Sequence, residues 1–210
     1  MEPQRVTGEL WLWRAPHPEW QPGSPGSPED WPREVGCVLY ETPDSALFID
    51  PQLPTDRKAF WAWSDARCAG RDVTVLTTTE LHARSREMFA RRYGAACCAA
   101  DSEPLLPAGV ECFRIRATGE ALVWLSGSGA LVAGDAIVGG GDGKLRLCPE
   151  SWLDHTVDAI TAAELQLILR ELLDGLPVEC VLVSHGEPVL SDGRAALDRA
   201  LAPNRLAVRA

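Results

Sequence analysis

The chain has 210 residues, 46% hydrophobic and 24% charged, which suits a globular protein with a sizeable core and excludes global disorder. A formal net charge of −10 argues against a nucleic-acid or anionic-membrane partner and leaves a small-molecule ligand as the expectation. No apolar run approaches the roughly 20 residues of a membrane span. The opening MEPQRVTGEL lacks a signal-peptide core, so a cytoplasmic location is expected.

One domain over residues 1–210 is expected, with a Pro/Gly/Ser-rich loop at 18–34 and a frayed tail from 203. In VTGELWLWRA (6–15), Leu10 and Leu12 share one face and Trp11 and Trp13 the other. That pattern suits a strand at a sheet edge with both faces partly covered. The loop that follows carries five prolines between Pro18 and Pro32. With Trp20 and Trp31 at its ends, it reads either as a cover over a pocket or as an anchored surface insertion. Gly36–Tyr40 and Ala46–Asp50, joined by ETPDS, form a hairpin, and a helix over 57–69 stops at Gly70.

Val73–Leu76 is a buried strand running into a polar turn, and a helix over 85–93 ends at Gly94. Further strands fall at 95–100, 111–117, 121–125 and 130–133. The tract GGGDG (139–143) reads as a flexible loop before a short strand, KLRLCP. Thr161-x-x-Glu164 is a capping box, opening a helix with Leu165, Ile168, Leu169, Leu172 and Leu173 on one face. Val178–Val183 is a buried strand ending in Ser184-His185-Gly186, and a helix over 194–201 closes the chain. The expected class is α/β (α+β), two sheets between helical layers.

Four strand ends carry an acid or a histidine: Asp50, the Glu80/His82 turn, Asp135 and His185. Strands of one sheet bring such ends to one edge, where open α/β folds place their sites. Each also has an ordinary structural reading, as a turn cap or a packed imidazole. His17 and His155 lie in loop-like sequence and default to the surface. Arg84 is either solvated or a fork-shaped donor for a carboxylate or phosphate. Seven cysteines without a C-x-x-C pair fit a reducing compartment and core packing. There is no G-x-S-x-G elbow, P-loop or G-x-G-x-x-G fingerprint.

Four segments in register resemble the metallo-β-lactamase fold superfamily: LFIDPQLP (47–54), VTVLTTTELHARS (73–85), LVAGDAIVGG (131–140) and VLVSHGEPV (181–189). The resemblance implies a four-layer αββα sandwich of two mixed sheets flanked by helices, with the site at one edge of both. The family's metal turn is His-x-His-x-Asp-His. Matched on Leu76-Thr77, its four ligand positions hold Thr78, Glu80, His82 and Ala83. The histidine that usually precedes the Gly-Asp strand end is missing too, and Gly119 and Glu120 stand near that point. Asp135 and His185 fall where the bridging aspartate and last histidine would be.

What the resemblance implies is a di-zinc centre with its first site lost. Glu80, His82, Asp135 and His185 are then the candidate ligands for at most one divalent metal, zinc, manganese or iron. Asp135 or Glu80 is the candidate general base, and Asp50, Thr78, Arg84 and Glu120 are candidate pocket residues. The expected activity is hydrolase-like, on an ester or thioester. The alternative is an inactive member that binds a small molecule or protein partner in the old pocket, lined by Trp20, Trp31 and Trp152.

Overall fold

A computed structural model describes residues 2–23, 31–99, 106–154 and 156–203. The core of the 18–34 loop (24–30), His155 and all of the expected tail except its first residue lie outside these residues. Among the described residues, the first sheet runs in the order β1 (Gln4–Arg5), β2 (Leu10–Pro16), β3 (Glu34–Glu41), β4 (Ser45–Ile49), β5 (Asp72–Thr77) and β6 (Ala96–Ala99). It is antiparallel up to β4, while β4, β5 and β6 are parallel. The tryptophan-rich strand β2 thus lies one place in from the edge, with only two residues of β1 beyond it.

The helices α1 (Arg57–Cys68) and α2 (Arg86–Tyr93) provide the two parallel crossovers. Asp56 caps α1 by accepting from Ala59 N, and Gly94 ends α2 in the left-handed conformation. The second sheet has the order β12 (Cys180–Val183), β9 (Ala130–Ala133), β8 (Glu120–Leu125), β7 (Val110–Ile115). Its β12 and β9 are parallel and the other pairs antiparallel.

Three apolar layers follow from the period-2 alternation of the strands. Leu10, Leu12, Val38, Tyr40, Leu47, Ile49 and Leu76 of the first sheet meet Val123, Leu125, Val132 and Leu182 of the second. The other face of the first sheet, with Trp13, Leu39, Phe48 and Val75, packs on Phe60 of α1 and Phe89 of α2. The outer face of the second sheet packs on Leu165 and Leu169 of α4 (Ala162–Leu172) and on Leu197 of α5 (Gly193–Ala200). The layers are therefore αββα. The capping box is complete, Thr161 Oγ1 accepting from Glu164 N and Glu164 Oε2 accepting from Thr161 N at 2.8 Å.

Two sequence expectations need correction. Three of the five residues 139–143 are strand: β10 (Ile137–Gly141) pairs with β11 (Lys144–Leu147) in a separate hairpin. Gly139 N donates to His185 O at 2.9 Å, and a Cβ on Gly139 would stand 2.2 Å from Glu187 O. Glycine is used there for close backbone approach, not for flexibility. Trp152, expected in a loop, lies on the short helix α3 (Glu150–Leu153).

Candidate metal centre

Each sheet contributes one pair of adjacent parallel strands, and parallel neighbours end at the same edge. In the first sheet the register Ile49↔Leu76 sets Asp50 beside the exit of β5. In the second, Val183↔Ala133 sets Ser184-His185 beside Gly134-Asp135. Cross-sheet bonds, Gly36 N to Ser184 O at 2.8 Å and Ala121 N to Thr78 O at 2.9 Å, bring the two edges together.

After β5 the chain makes a single 3₁₀ turn, Glu80–His82, with Thr79 Oγ1 accepting from Leu81 N. The turn folds His82 back over the strand ends, where it is 2% exposed. Its Nδ1 lies 2.8 Å from Asp50 Oδ2, and Asp50 also accepts from Thr78 N (2.8 Å) and Thr78 Oγ1 (2.6 Å). The opposite nitrogen, Nε2, lies 3.1 Å from Asp135 Oδ1, and His185 Nε2 approaches the same oxygen at 3.2 Å. His82, Asp135 and His185 thus present three donor atoms within 4.8 Å of one another, a group able to hold a metal ion.

The electrostatics of the group follow from its burial and its charges. Burial alone would lower the pKa of His82, but the carboxylates of Asp135 and Asp50 on either side outweigh it and raise it to about 9. Burial would raise Asp50 and Asp135; the His82 charge and the imidazole hydrogen bonds instead hold Asp50 below, and Asp135 well below, the usual carboxylate range. Burial, aided by the His82 and Arg84 charges, keeps His185 below its ordinary value despite Asp135. With Nε2–H given to Asp135, the buried Nδ1 of His185 has no hydrogen-bond partner.

The remaining predicted site residues separate cleanly. Glu80 does not join the group: its side chain is 67% exposed and lies 3.5 Å from Arg86. A 3₁₀ turn advances about 120° per residue, so Glu80 and His82 cannot face the same way. Thr78 is taken up by Asp50. Glu120 is buried, with Oε2 accepting from Asp135 N and Oε1 from Ala136 N, both at 2.9 Å. Burial and the Asp135 charge push its pKa up to about 8. Arg84, expected to be either solvated or a donor to an anion, turns inward instead: Nη1 donates to Gly36 O and Asp50 O and Nη2 to Ser184 Oγ, all at 3.2–3.3 Å.

Sequence reasoning placed His17 on the surface, yet it lies at the mouth of the site. A cavity of about 200 Å³ there is lined by His17, Trp31, His82, Asp135, Trp152 and His185, among others. Trp31 packs edge-on to His185 at 4.8 Å and to His17 at 5.1 Å, and Trp152 lies 5.4 Å from His185. Trp20 Nε1 donates to Trp31 O at 2.9 Å, so the end of the Pro/Gly/Ser loop covers the site. The only sequence signal was the tryptophans at both ends of that loop.

The sequence matches no protein-family profile and no curated protein. In three dimensions the chain is similar to a metallo-β-lactamase from Erythrobacter litoralis, with 16% identity and a TM-score of 0.62, over 95% of this chain and 89% of that one. The metallo-β-lactamase from Hirschia baltica shares 14% identity with a TM-score of 0.60, over 95% of both chains. The metallo-β-lactamase FIM-1 from Pseudomonas aeruginosa, in its mono-zinc form, shares 15% identity with a TM-score of 0.61, over 95% of this chain and 92% of that one. The chain therefore has the metallo-β-lactamase fold. Among the described residues no helix is long and apolar enough to cross a membrane.

Proposed function

We propose that this protein is a hydrolase-like member of the fold with a degenerate di-zinc site, holding one divalent metal on His82, Asp135 and His185. The observation that carries the reading is the convergence of those three donor atoms within 4.8 Å of one another. The two contacts to Asp135 Oδ1, at 3.1 and 3.2 Å, fall just below the roughly 3.3–3.6 Å between ligands held about 2.0–2.2 Å from a tetrahedral zinc. A two-nitrogen, one-oxygen set also suits manganese or iron. The Nδ1–H of His82 is backed by Asp50, the outer hydrogen bond that fixes a ligand's tautomer and ring orientation.

When bound, the ion supplies Lewis acidity, polarising a carbonyl and making water nucleophilic near neutral pH. The chain supplies the rest. Asp50 and Thr78 orient His82, Glu120 holds the Asp135 backbone, and Trp31 with Trp152 limits access of bulk water. In hydrolysis of an ester or thioester, water adds to the acyl carbon, and Asp135 takes its proton. The bond to the alkoxide or thiolate then breaks and the proton passes to that leaving group. Glu80, on the outer surface, has no part in this.

Elemental analysis of protein purified without chelator tests the reading. About one equivalent of transition metal is expected, lost in His82→Ala and in His185→Ala. Metal-free protein whose melting temperature does not move on adding zinc would overturn it. A second reading, an inactive member binding a small molecule or protein partner, draws support from the hydrogen bonding of Asp135 to both imidazoles, which completes the group without an ion.

A further inference from the structure

A second cavity, of about 270 Å³, opens on the other side of Asp135 and shares Leu81, Asp135 and Trp152 with the first. Its walls are the apolar groups of Ala136, Cys148, Trp152 and Leu153, and the rest of its lining is threonine with Glu120 and Asp135. Among the described residues no lysine or arginine lines it. Leu81, 78% exposed, lines it, and Val157, 74% exposed, follows the lining residue Thr156 in the chain. Val157 Cγ2 covers Gly119, at 3.1 Å from where a Cβ would be, next to the lining residue Thr118.

We infer that this cavity is a subsite for an uncharged apolar acyl group, the acyl half of the ester or thioester. The inference rests on the hydrolase-like reading and adds the substrate class to it. At the ~30 Å³ that one water occupies in the liquid, 270 Å³ accommodates about nine non-hydrogen atoms. An anionic group would meet two carboxyl groups and, in the cavity's own lining, no lysine or arginine to pair with. A cationic group would lose its water to apolar walls, while the acids it would need are engaged: both Glu120 oxygens with backbone N–H groups and Asp135 Oδ1 with two imidazoles. An uncharged aliphatic or aromatic group meets neither cost. Hydrolysis adds water across the acyl bond and leaves a carboxylate, which the apolar walls hold poorly, favouring its release.

Two arms keep this inference separable from the hydrolase reading. In the first, calorimetry on chelator-treated full-length protein compares 1-octanol with octanoate. Octanol is expected to bind at least tenfold more tightly, and Leu81→Glu, an exposed change that spares the fold, should weaken it at least fivefold. In the second, zinc-loaded protein is given p-nitrophenyl esters from acetyl to palmitoyl, and the monosuccinyl ester. Each added methylene should raise kcat/KM about two- to fourfold up to roughly eight carbons and not beyond, from ~0.8 kcal/mol per buried methylene. The succinyl ester should be the poorest of its length. Cys148→Phe should shorten the optimum; if it fails to fold, Leu81→Glu decides. Octanol binding with no ester turnover supports the subsite and removes the hydrolase reading. Absence of octanol binding, equal binding of octanoate, or turnover indifferent to acyl length overturns the subsite.

Discussion

Replacing Asp50 by Asn tests the electrostatic frame of the site. The backbone at Asp50 has φ 50°, which asparagine adopts readily, so the change removes a charge with little disturbance of the chain. The carboxylate accepts from Thr78 N, Thr78 Oγ1 and His82 Nδ1, with both partner residues buried. Removing one partner of a buried ion pair costs about 3–5 kcal/mol. For a chain of this size, about 2–4 °C per kcal/mol puts the fall in melting temperature at roughly 6–20 °C.

The loss depends on pH in a defined direction. His82 titrates at about 9 when folded against about 6.5 unfolded, a difference of about 3 kcal/mol. A raised pKa gives stability that is complete below pH 6.5 and disappears as pH rises through 9. The wild type thus forfeits this contribution at pH 9.5, and the gap to Asp50→Asn should narrow there. The assay is urea unfolding of chelator-treated protein at pH 6 and 9.5. A mutant within 1 kcal/mol of wild type at pH 6, or a gap that widens with pH, would refute the reasoning.

Glu120, raised to about 8 by burial, shares the sign of His82, so metal-free protein should melt progressively lower from pH 6.5 to 9. Asp50 and Asp135, held low, act oppositely: their contribution is present above the usual carboxylate range and fades only as pH falls below it. Because a ligating His82 must be deprotonated, zinc affinity should increase from pH 6 to 9, with proton release detectable by calorimetry in buffers of different ionisation enthalpy. Glu80→Ala should leave zinc binding and stability unchanged within about 0.5 kcal/mol, whereas Glu120→Ala strands two backbone N–H groups and should cost about 2–6 kcal/mol in urea unfolding. In Gly36→Ala a Cβ would stand 2.2 Å from Val183 O, forcing the sheet edges apart. Its cost should reach or exceed the usual ~1–3 kcal/mol of overpacking, read by the same assay.

Much of this molecule was legible in one dimension, because its signals are local. The alternation of Leu10, Leu12, Trp11 and Trp13 assigns two buried faces of one strand, and the Thr161–Glu164 box marks a helix start through bonds among four consecutive residues. Asp50, His82, Asp135 and His185 stood out as polar residues where buried strands end. Which of the candidates meet was decided only by the tertiary structure. Glu80 and His82 are two residues apart and look equivalent in sequence, yet a single 3₁₀ turn sends one to solvent and the other into the core. Two parallel strand pairs on different sheets bring Asp135 and His185 to His82 across a separation of more than fifty residues. Gly139, Gly140 and Gly141 are strand, with another turn's backbone lying against Gly139, and His17 reaches the site because Trp31 carries the loop end over His185. These are long-range contacts, which no local pattern encodes.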